Sequence, residues 1–266
     1  ADDLARAPGV AAVAPPRRLG PGVWQVDLLS ASPGLTGASQ RLVRDIRAGP
    51  GPGEVLVGGF TAAFLDQQAS LRANLPKAIT VVVGVTLIAL FLMTGSVVLP
   101  VKAVIMNLLT LTATLGVLVL VFQDGRLEGV LGYTSQGGVD LTQPILLAAL
   151  AFGLSTDYAV FLLSRIKEAR DGGAGDHEAV AIGLQRTGRI VTAAALLFCV
   201  AVAAFATSRI VIIKELGLGT ALAVALDATV VRALLVPSLM ALLGRWNWWA
   251  PGPLRRLHAR LGFREG

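Results

Sequence analysis

Long apolar blocks, separated by short polar segments, follow a polar N-terminal region of the chain. Each block has about the 20 residues that a membrane-spanning helix needs. The blocks lie at about residues 77–98, 103–122, 143–163, 189–207 and 216–243. Apolar runs of this length are typical of helices that cross a bilayer. The pattern therefore predicts an α-helical integral membrane bundle of five transmembrane helices over residues 76–244.

The polar region, residues 1–75, contains short periodic pieces between Gly and Pro clusters. Residues 23–29 are predicted to form a strand, and residues 54–59 a second strand. Between them, residues 39–48 place Leu, Val and Ile on one face, which is typical of an amphipathic helix. A further helix is predicted to lead from Phe60 towards the membrane. Strand, helix and strand together predict a partial α/β domain outside the bilayer.

The composition agrees with a membrane location. Hydrophobic residues make up 54% of the 266 residues, only 15% are charged, and the mean hydropathy is +0.69, whereas about a quarter of a soluble domain is charged. The single cysteine, Cys199, excludes an intrachain disulfide, and His177 and His258 are isolated, so no metal site is predicted. The chain begins without Met, and we expect it to be a piece of a longer protein.

The basic residues predict the orientation. With five crossings, the turn at 99–102, the loop at 164–189 and the tail at 245–266 share one side of the membrane. That side is the more basic, so it is predicted to be cytoplasmic, with the N-terminal domain outside. Flanking a bilayer accounts for these charges, and nucleic acid is not an expected partner. The basic residues are Lys102, Arg165, Lys167, Arg170, Arg186, Arg189, Arg245, Arg255, Arg256, Arg260 and Arg264.

Asp157 stands near the middle of the third apolar block. A carboxylate at that depth costs about 3 kcal/mol by insertion scales, and burial favours the neutral form, so such a group can carry a proton. Gly153, one turn earlier, leaves room for a neighbouring helix, while Ser155 and Thr156 supply hydroxyls that hold water or bond across helices. The alternative is a static, hydrogen-bonded carboxyl that fixes helix packing.

Other polar side chains of the predicted spans are candidate relay or structural residues. Tyr158 does not face Asp157 on a helix, but its hydroxyl can reach a carboxylate on a facing helix. Asp227 and Arg232 are five residues apart, about 140° around an α-helix, and are not predicted to pair within it. Asp227 therefore needs a partner on another helix or a water-filled cavity, while Arg232 can snorkel towards the cytoplasmic side.

Residues 152–168, Phe-Gly-Leu-Ser-Thr-Asp-Tyr-Ala-Val-Phe-Leu-Leu-Ser-Arg-Ile-Lys-Glu, resemble the MMPL family of RND-superfamily transporters. The resemblance covers nearly all of 76–251, and residues 1–75 more weakly resemble the end of the family's second porter domain. Further matching segments are 98–109, 121–125, 188–195, 226–232 and 237–251.

The resemblance implies helices eight to twelve of a twelve-helix exporter of lipids or other hydrophobic molecules in the bacterial cell membrane. The proton gradient supplies its energy, without a bound cofactor, and Asp157 and Tyr158 match the family's relay pair in helix ten. The implied partners are membrane lipids, the cargo and an N-terminal half with helices one to seven, with a homo-oligomer left open.

Two other functions compete with transport. Asp157 and Asp227 lie on different predicted helices, as the dyad of an intramembrane aspartic protease requires. The sequence around Asp157 lacks that class's Gly-x-Gly-Asp motif, and we predict no enzyme activity. A membrane scaffold or regulatory subunit without transport activity is the other alternative.

Overall fold

The computed structural model describes residues 2–49, 53–135, 138–139 and 142–261. The chain divides into two compact units. The first comprises residues 1–74 and 119–141, and the second, which we call the bundle unit, comprises residues 75–118 and 142–266.

The N-terminal elements are short strands that pair in twos, followed by an amphipathic helix. In chain order they are α1 (Asp2–Ala5), β1 (Val10–Val13), β2 (Arg17–Gly20), β3 (Val23–Gln25), β4 (Leu28–Ser30) and α2 (Gly37–Ala48). β1 pairs with β4 and β2 with β3, both antiparallel. α2 begins where the Thr36 hydroxyl accepts the backbone N–H of Ser39, and it buries Leu42 and Val43, as its periodicity predicts.

Two strand predictions in this region are wrong. Residues 23–29 form β3 and β4 with a break between them, and each strand pairs with a different partner. Residues 54–59 form no strand, and Gly59, at φ +101°, turns the chain into the next helix. An apolar run forms a strand only where a partner strand supplies hydrogen bonds, and local sequence does not reveal that partner.

Longer helices follow, interrupted by two π-helical segments. They are α3 (Phe60–Thr94), α4 (Val98–Leu118) with a π-helical end (Val119–Gln123), α5 (Glu128–Leu131), α6 (Thr142–Asp171), α7 (Asp176–Ala203) with a 3-10 end (Ala204–Thr207), α8 (Val211–Leu226), a second π-helical segment (Asp227–Leu235), α9 (Val236–Leu243), a 3-10 turn (Gly244–Trp248) and α10 (Gly252–Leu261).

Five helical stretches of the described residues are long and apolar enough to cross a membrane, which confirms the predicted membrane bundle. They are Phe60–Thr94, Val98–Gln123, Thr142–Asp171, Asp176–Thr207 and Val211–Trp248. Much of their apolar surface is exposed: Leu197 on α7 is 72% exposed and Leu242 on α9 is 82% exposed. Exposure of this much apolar surface to water is unfavourable. In a membrane, lipid or further helices cover the surface.

The helices extend beyond the apolar blocks that predicted them. Residues 164–189, predicted as a loop, are helical except for residues 172–175 between α6 and α7. The helical ends are polar and carry ion pairs: Glu168 lies 2.7 Å from Arg165 and 3.5 Å from Arg186. Hydropathy marks where the bilayer ends, and a helix continues past that point as an amphipathic rod.

Glycines allow close helix packing inside the bundle unit. A Cβ atom at Gly183 of α7 would lie 2.3 Å from a side-chain carbon of Ile166 on α6. A Cβ atom at Gly217 of α8 would lie 2.6 Å from the carbonyl oxygen of Val202 on α7. Small residues let helix backbones approach and gain dispersion contacts, which replace the hydrophobic driving force that is missing in lipid.

Ser96 joins two membrane helices at one end of the bundle unit. Its hydroxyl accepts the backbone N–H of Val98 at 3.0 Å, which caps α4, and donates to the carbonyl of Asn247 at 2.6 Å. The predicted turn at 99–102 is therefore wrong, because α4 already begins at Val98. Lys102 lies inside the helix, 8% exposed, with its Nζ 3.4 Å from Oδ1 of Asn247.

A candidate proton-relay site

Four buried polar side chains meet in the middle of the bundle unit, and we call them the polar cluster: Asn107, Ser155, Asp227 and Arg232. They come from α4, from α6 and from the π-helical segment after α8. Ser155 Oγ lies 2.6 Å from Asn107 Oδ1 and 2.8 Å from Asp227 Oδ1, so one hydroxyl connects three helices. The partner on another helix that the sequence predicts for Asp227 is thus Ser155.

Asp227 and Arg232 form a buried ion pair, with Arg232 Nε donating to Asp227 Oδ2 at 2.6 Å. The prediction that they would not pair within one helix is wrong. It assumed α geometry, whereas residues 227–235 are π-helical. A π-helix bonds residues i and i+5, which places residues five apart one turn above each other. Arg232 does not snorkel either, since its side chain is only 8% exposed.

Arg232 is held on several sides. Its Nη2 donates to the backbone carbonyl of Ser155 and to the Ser155 hydroxyl, the latter at 3.3 Å. Its guanidinium carbon lies 5.1 Å from the centre of the Tyr158 ring, within cation–π range. Tyr158 therefore faces the polar cluster. Thr156 donates to the carbonyl of Phe152 at 2.8 Å and lies 3.4 Å from Asn107 Nδ2.

The Ser155 hydroxyl lies between two acceptors but has a single hydrogen to donate. It donates either to Asn107 Oδ1, at 2.6 Å, or to Asp227 Oδ1, at 2.8 Å. Ser155 therefore couples the Asn107 amide to the Asp227 carboxylate.

A cavity of about 30 Å³ adjoins the polar cluster. A site needs about 10–15 Å³ of such volume and two to four polar partners to hold a water molecule, and this one has both. The prediction of a turn at 99–102 did not place Lys102 beside this cavity. Its polar lining is Lys102, Asn107, Ser155, Asp227 and Arg232.

Asp157 is exposed and lies on the opposite face of α6 from Ser155, since two residues are about 200° of helix. It forms no hydrogen bond or ion pair within the described part of the chain. The exposed stripe that contains it repeats every four and three residues, which is the spacing of a helix-packing seam. The stripe consists of Leu146, Leu150, Gly153, Asp157 and Val160.

This arrangement does not form an aspartic dyad. Asp227 is paired with Arg232 and Ser155, whereas Asp157 lies on the far side of α6. Two carboxyls that share a proton must be in contact, so the protease interpretation has no support from the geometry. Among the residues that the structure describes, no group of three or more His, Cys, Asp and Glu side chains could hold a metal ion.

Comparison with known proteins identifies relatives of this bundle. The sequence model of the MMPL family matches residues 37–264. A membrane protein of Streptomyces coelicolor is 49% identical over 229 residues, which is 86% of this chain and 32% of the relative.

Two transporters of Mycobacterium tuberculosis are also similar. The trehalose monomycolate exporter MmpL3 is 48% identical over 79% of this chain and 22% of its own length. The heme uptake protein MmpL11 is 38% identical over 93% of this chain and 26% of its own length. The chain thus spans about a third or less of the length of these curated relatives.

Proposed function

Since the chain belongs to the MMPL family, we propose that it works as the C-terminal half of a proton-driven exporter of lipids or other hydrophobic molecules. The name of one relative, a trehalose monomycolate exporter, supports a lipid cargo. The proton gradient is its energy source, with no bound cofactor, and it is not an enzyme. The more basic end of the bundle unit faces the cytoplasm of a bacterial cell.

The exposed stripe on α6 supports a partner half. A carboxylate facing lipid costs about 3 kcal/mol or more, and Asp157 has no partner within the described residues. A further helix packed on the stripe would enclose Asp157 and supply polar partners, and Gly153 leaves room for its backbone. We assign this helix to the N-terminal half of the transporter.

Protonation of Asp157 then changes the packing of that contact. The ionised form needs water or a hydrogen-bond donor on the facing helix, and the neutral form tolerates a dry, closer contact. A proton arriving from one side and leaving to the other biases a two-state equilibrium between these packings. The extracytoplasmic domains convert it into opening and closing around the cargo.

The polar cluster contacts the other face of α6. Ser155 lies two residues from Asp157 and ties α6 to α4 and to the Asp227–Arg232 pair. A shift of α6 on the Asp157 side therefore acts on the cluster. We propose that the cluster transmits the shift and takes part in proton transfer, with Tyr158 covering Arg232.

Asp157→Asn tests the proposal in the full-length transporter, reconstituted in liposomes containing a pH-sensitive dye. Asparagine keeps the size of the side chain but cannot carry a proton, so proton influx under an imposed pH gradient should fall to the level of empty liposomes. Insertion and yield should not change. Asp171→Asn is the matched control, because Asp171 is exposed at the polar end of the same helix. Undiminished influx in Asp157→Asn would refute the proposal.

A further inference from the structure

The helix α10, which follows the last membrane-crossing stretch, has two chemically distinct faces. At 100° per residue, Leu254, Leu257 and His258 fall within about 100° of arc. The three arginines of the helix occupy about 140° on the opposite side, and the ten residues include no acidic side chain. The arginines are Arg255, Arg256 and Arg260.

His258 docks this helix on the end of α3. Its Nε2 lies 3.1 Å from the carbonyl oxygen of Leu92, and its ring meets the Phe91 ring edge-on with centres 5.8 Å apart. The carbonyl belongs to the last turn of α3, whose carbonyls have no partner within the helix. Gly95, at φ +70°, makes room, since a Cβ atom there would lie 2.9 Å from the imidazole.

The docked helix leaves both remaining groups of side chains uncovered. Leu254 is 37% exposed and Leu257 is 44% exposed. The guanidinium groups of the three arginines are exposed and form no ion pair or hydrogen bond within the described residues. By contrast, Arg170 of α6 is paired with Asp176 of α7 at 2.9 Å.

The position of α10 indicates what covers its exposed leucines and arginines. The helix is held where the membrane-crossing stretch of α3 ends, at Thr94, and we place the boundary between acyl chains and headgroups there. A helix with one leucine face and one arginine face lies in that boundary, with the leucines in the acyl region and the arginines at the phosphates. Unpaired juxtamembrane arginines attract anionic lipids.

We propose that α10 is a binding site for anionic phospholipid headgroups, built by the His258 contact at this end of the bundle unit. His258 sets the rotation of the helix, and Arg255, Arg256 and Arg260 bind the phosphates. The inference needs only that the chain resides in a membrane, so it stands whether or not the chain takes part in proton-driven export. Three arginines near a charged surface favour an anionic lipid by up to roughly a hundredfold at low salt.

The tryptophans beside α10 allow a direct test. Three of the four tryptophans of the chain, Trp246, Trp248 and Trp249, lie just before this helix. With Trp24 replaced by phenylalanine, the fluorescence of the chain in phosphatidylcholine nanodiscs reports on this region alone. The quencher is a nitroxide attached near the top of the acyl chain of a lipid. In one series that lipid is phosphatidylglycerol, and in the other it is phosphatidylcholine.

We expect half-maximal quenching at about a tenfold lower mole fraction of phosphatidylglycerol than of phosphatidylcholine. The preference should decline between 0.1 and 1 M salt, as the Debye length falls from about 10 to 3 Å. The triple variant Arg255→Gln/Arg256→Gln/Arg260→Gln should quench equally with both lipids. The matched control is a triple Arg→Gln variant at three N-terminal arginines, which should keep the preference: Arg17, Arg41 and Arg44.

Equal quenching of the unmodified chain by both lipids would overturn the proposal. It is the result expected if these arginines bind an acidic protein instead.

The variant His258→Ala distinguishes the effect of the docked helix from the effect of positive charge alone. It keeps all three arginines but removes the contact with Leu92, and we expect it to lose most of the preference. A full preference in His258→Ala would refute the role of the docked geometry.

Discussion

Replacing Arg232 by methionine tests the buried ion pair. Methionine keeps much of the aliphatic volume and removes the guanidinium, whose Nε lies 2.6 Å from Asp227 Oδ2. The side chains of the pair are 8% and 9% exposed, so the variant leaves a buried carboxylate without its counterion. Removal of one partner from a buried pair costs about 3–5 kcal/mol. The folded-to-unfolded ratio should fall by a factor of about a hundred to a few thousand.

The measurement is equilibrium unfolding of the chain in mixed micelles, followed by circular dichroism as the fraction of denaturing detergent rises. A second variant, Asp227→Asn/Arg232→Met, should regain most of the loss, because it removes the unpaired charge and an amide can still bond Ser155. Arg165→Met is the matched control. Arg165 pairs with Glu168 at 2.7 Å in an exposed i,i+3 arrangement, and its removal should leave unfolding unchanged.

Two results would contradict this reasoning. If Arg232→Met unfolds at the same detergent fraction as the unmodified chain, the pair does not stabilise the fold. If the double variant is no more stable than Arg232→Met alone, the loss does not come from the unpaired Asp227 carboxylate.

Glycine substitutions give two further predictions, with Gly188 as a common control because nothing lies within 4 Å of a Cβ atom there. Gly217→Ala would place its Cβ atom 2.6 Å from the Val202 carbonyl oxygen, and should destabilise the chain by about 1–3 kcal/mol in the same unfolding titration, whereas Gly188→Ala should not. Gly153→Leu should leave the unfolding of this chain unchanged but abolish proton influx in the full-length transporter, because Gly153 meets nothing within 4 Å here and we place a further helix against it. Equal influx in Gly153→Leu and Gly188→Leu would contradict that placement.

The membrane helices were predictable because lipid imposes a single demand on sequence, an apolar run of sufficient length. The ends of these helices were not predictable, because hydropathy does not report helical structure that continues outside the bilayer. α6 continues to Asp171 through charged residues that pair with one another, so a segment expected to be loop is helical. In the N-terminal region, β1 pairs with β4 across the intervening β2 and β3, and local alternation does not specify such a partner.

The individual polar residues of the candidate site could be selected from sequence, but not their arrangement. Asp227 stood out as a carboxyl at membrane depth that required a partner. That the partners are Ser155 and Arg232 depends on which helices are neighbours and on a local π-helix. Lys102 was assigned to a turn, so its place beside the cavity was missed. The one available signal was Pro100, because proline is favoured in the first turn of a helix and need not mark a loop.

The π-helical segment at Asp227–Leu235 also sets the pitch of the helix that continues to Trp248. A π-helix has wider turns than an α-helix. A change of this segment from π-helix to α-helix would therefore rotate α9 about its own axis. The motion would reach Asn247 and, through Ser96, the first turn of α4. Because residues five apart stack only in the wide form, the Asp227–Arg232 contact favours that form. One ion pair at the centre of the bundle thus favours one rotational setting of α9.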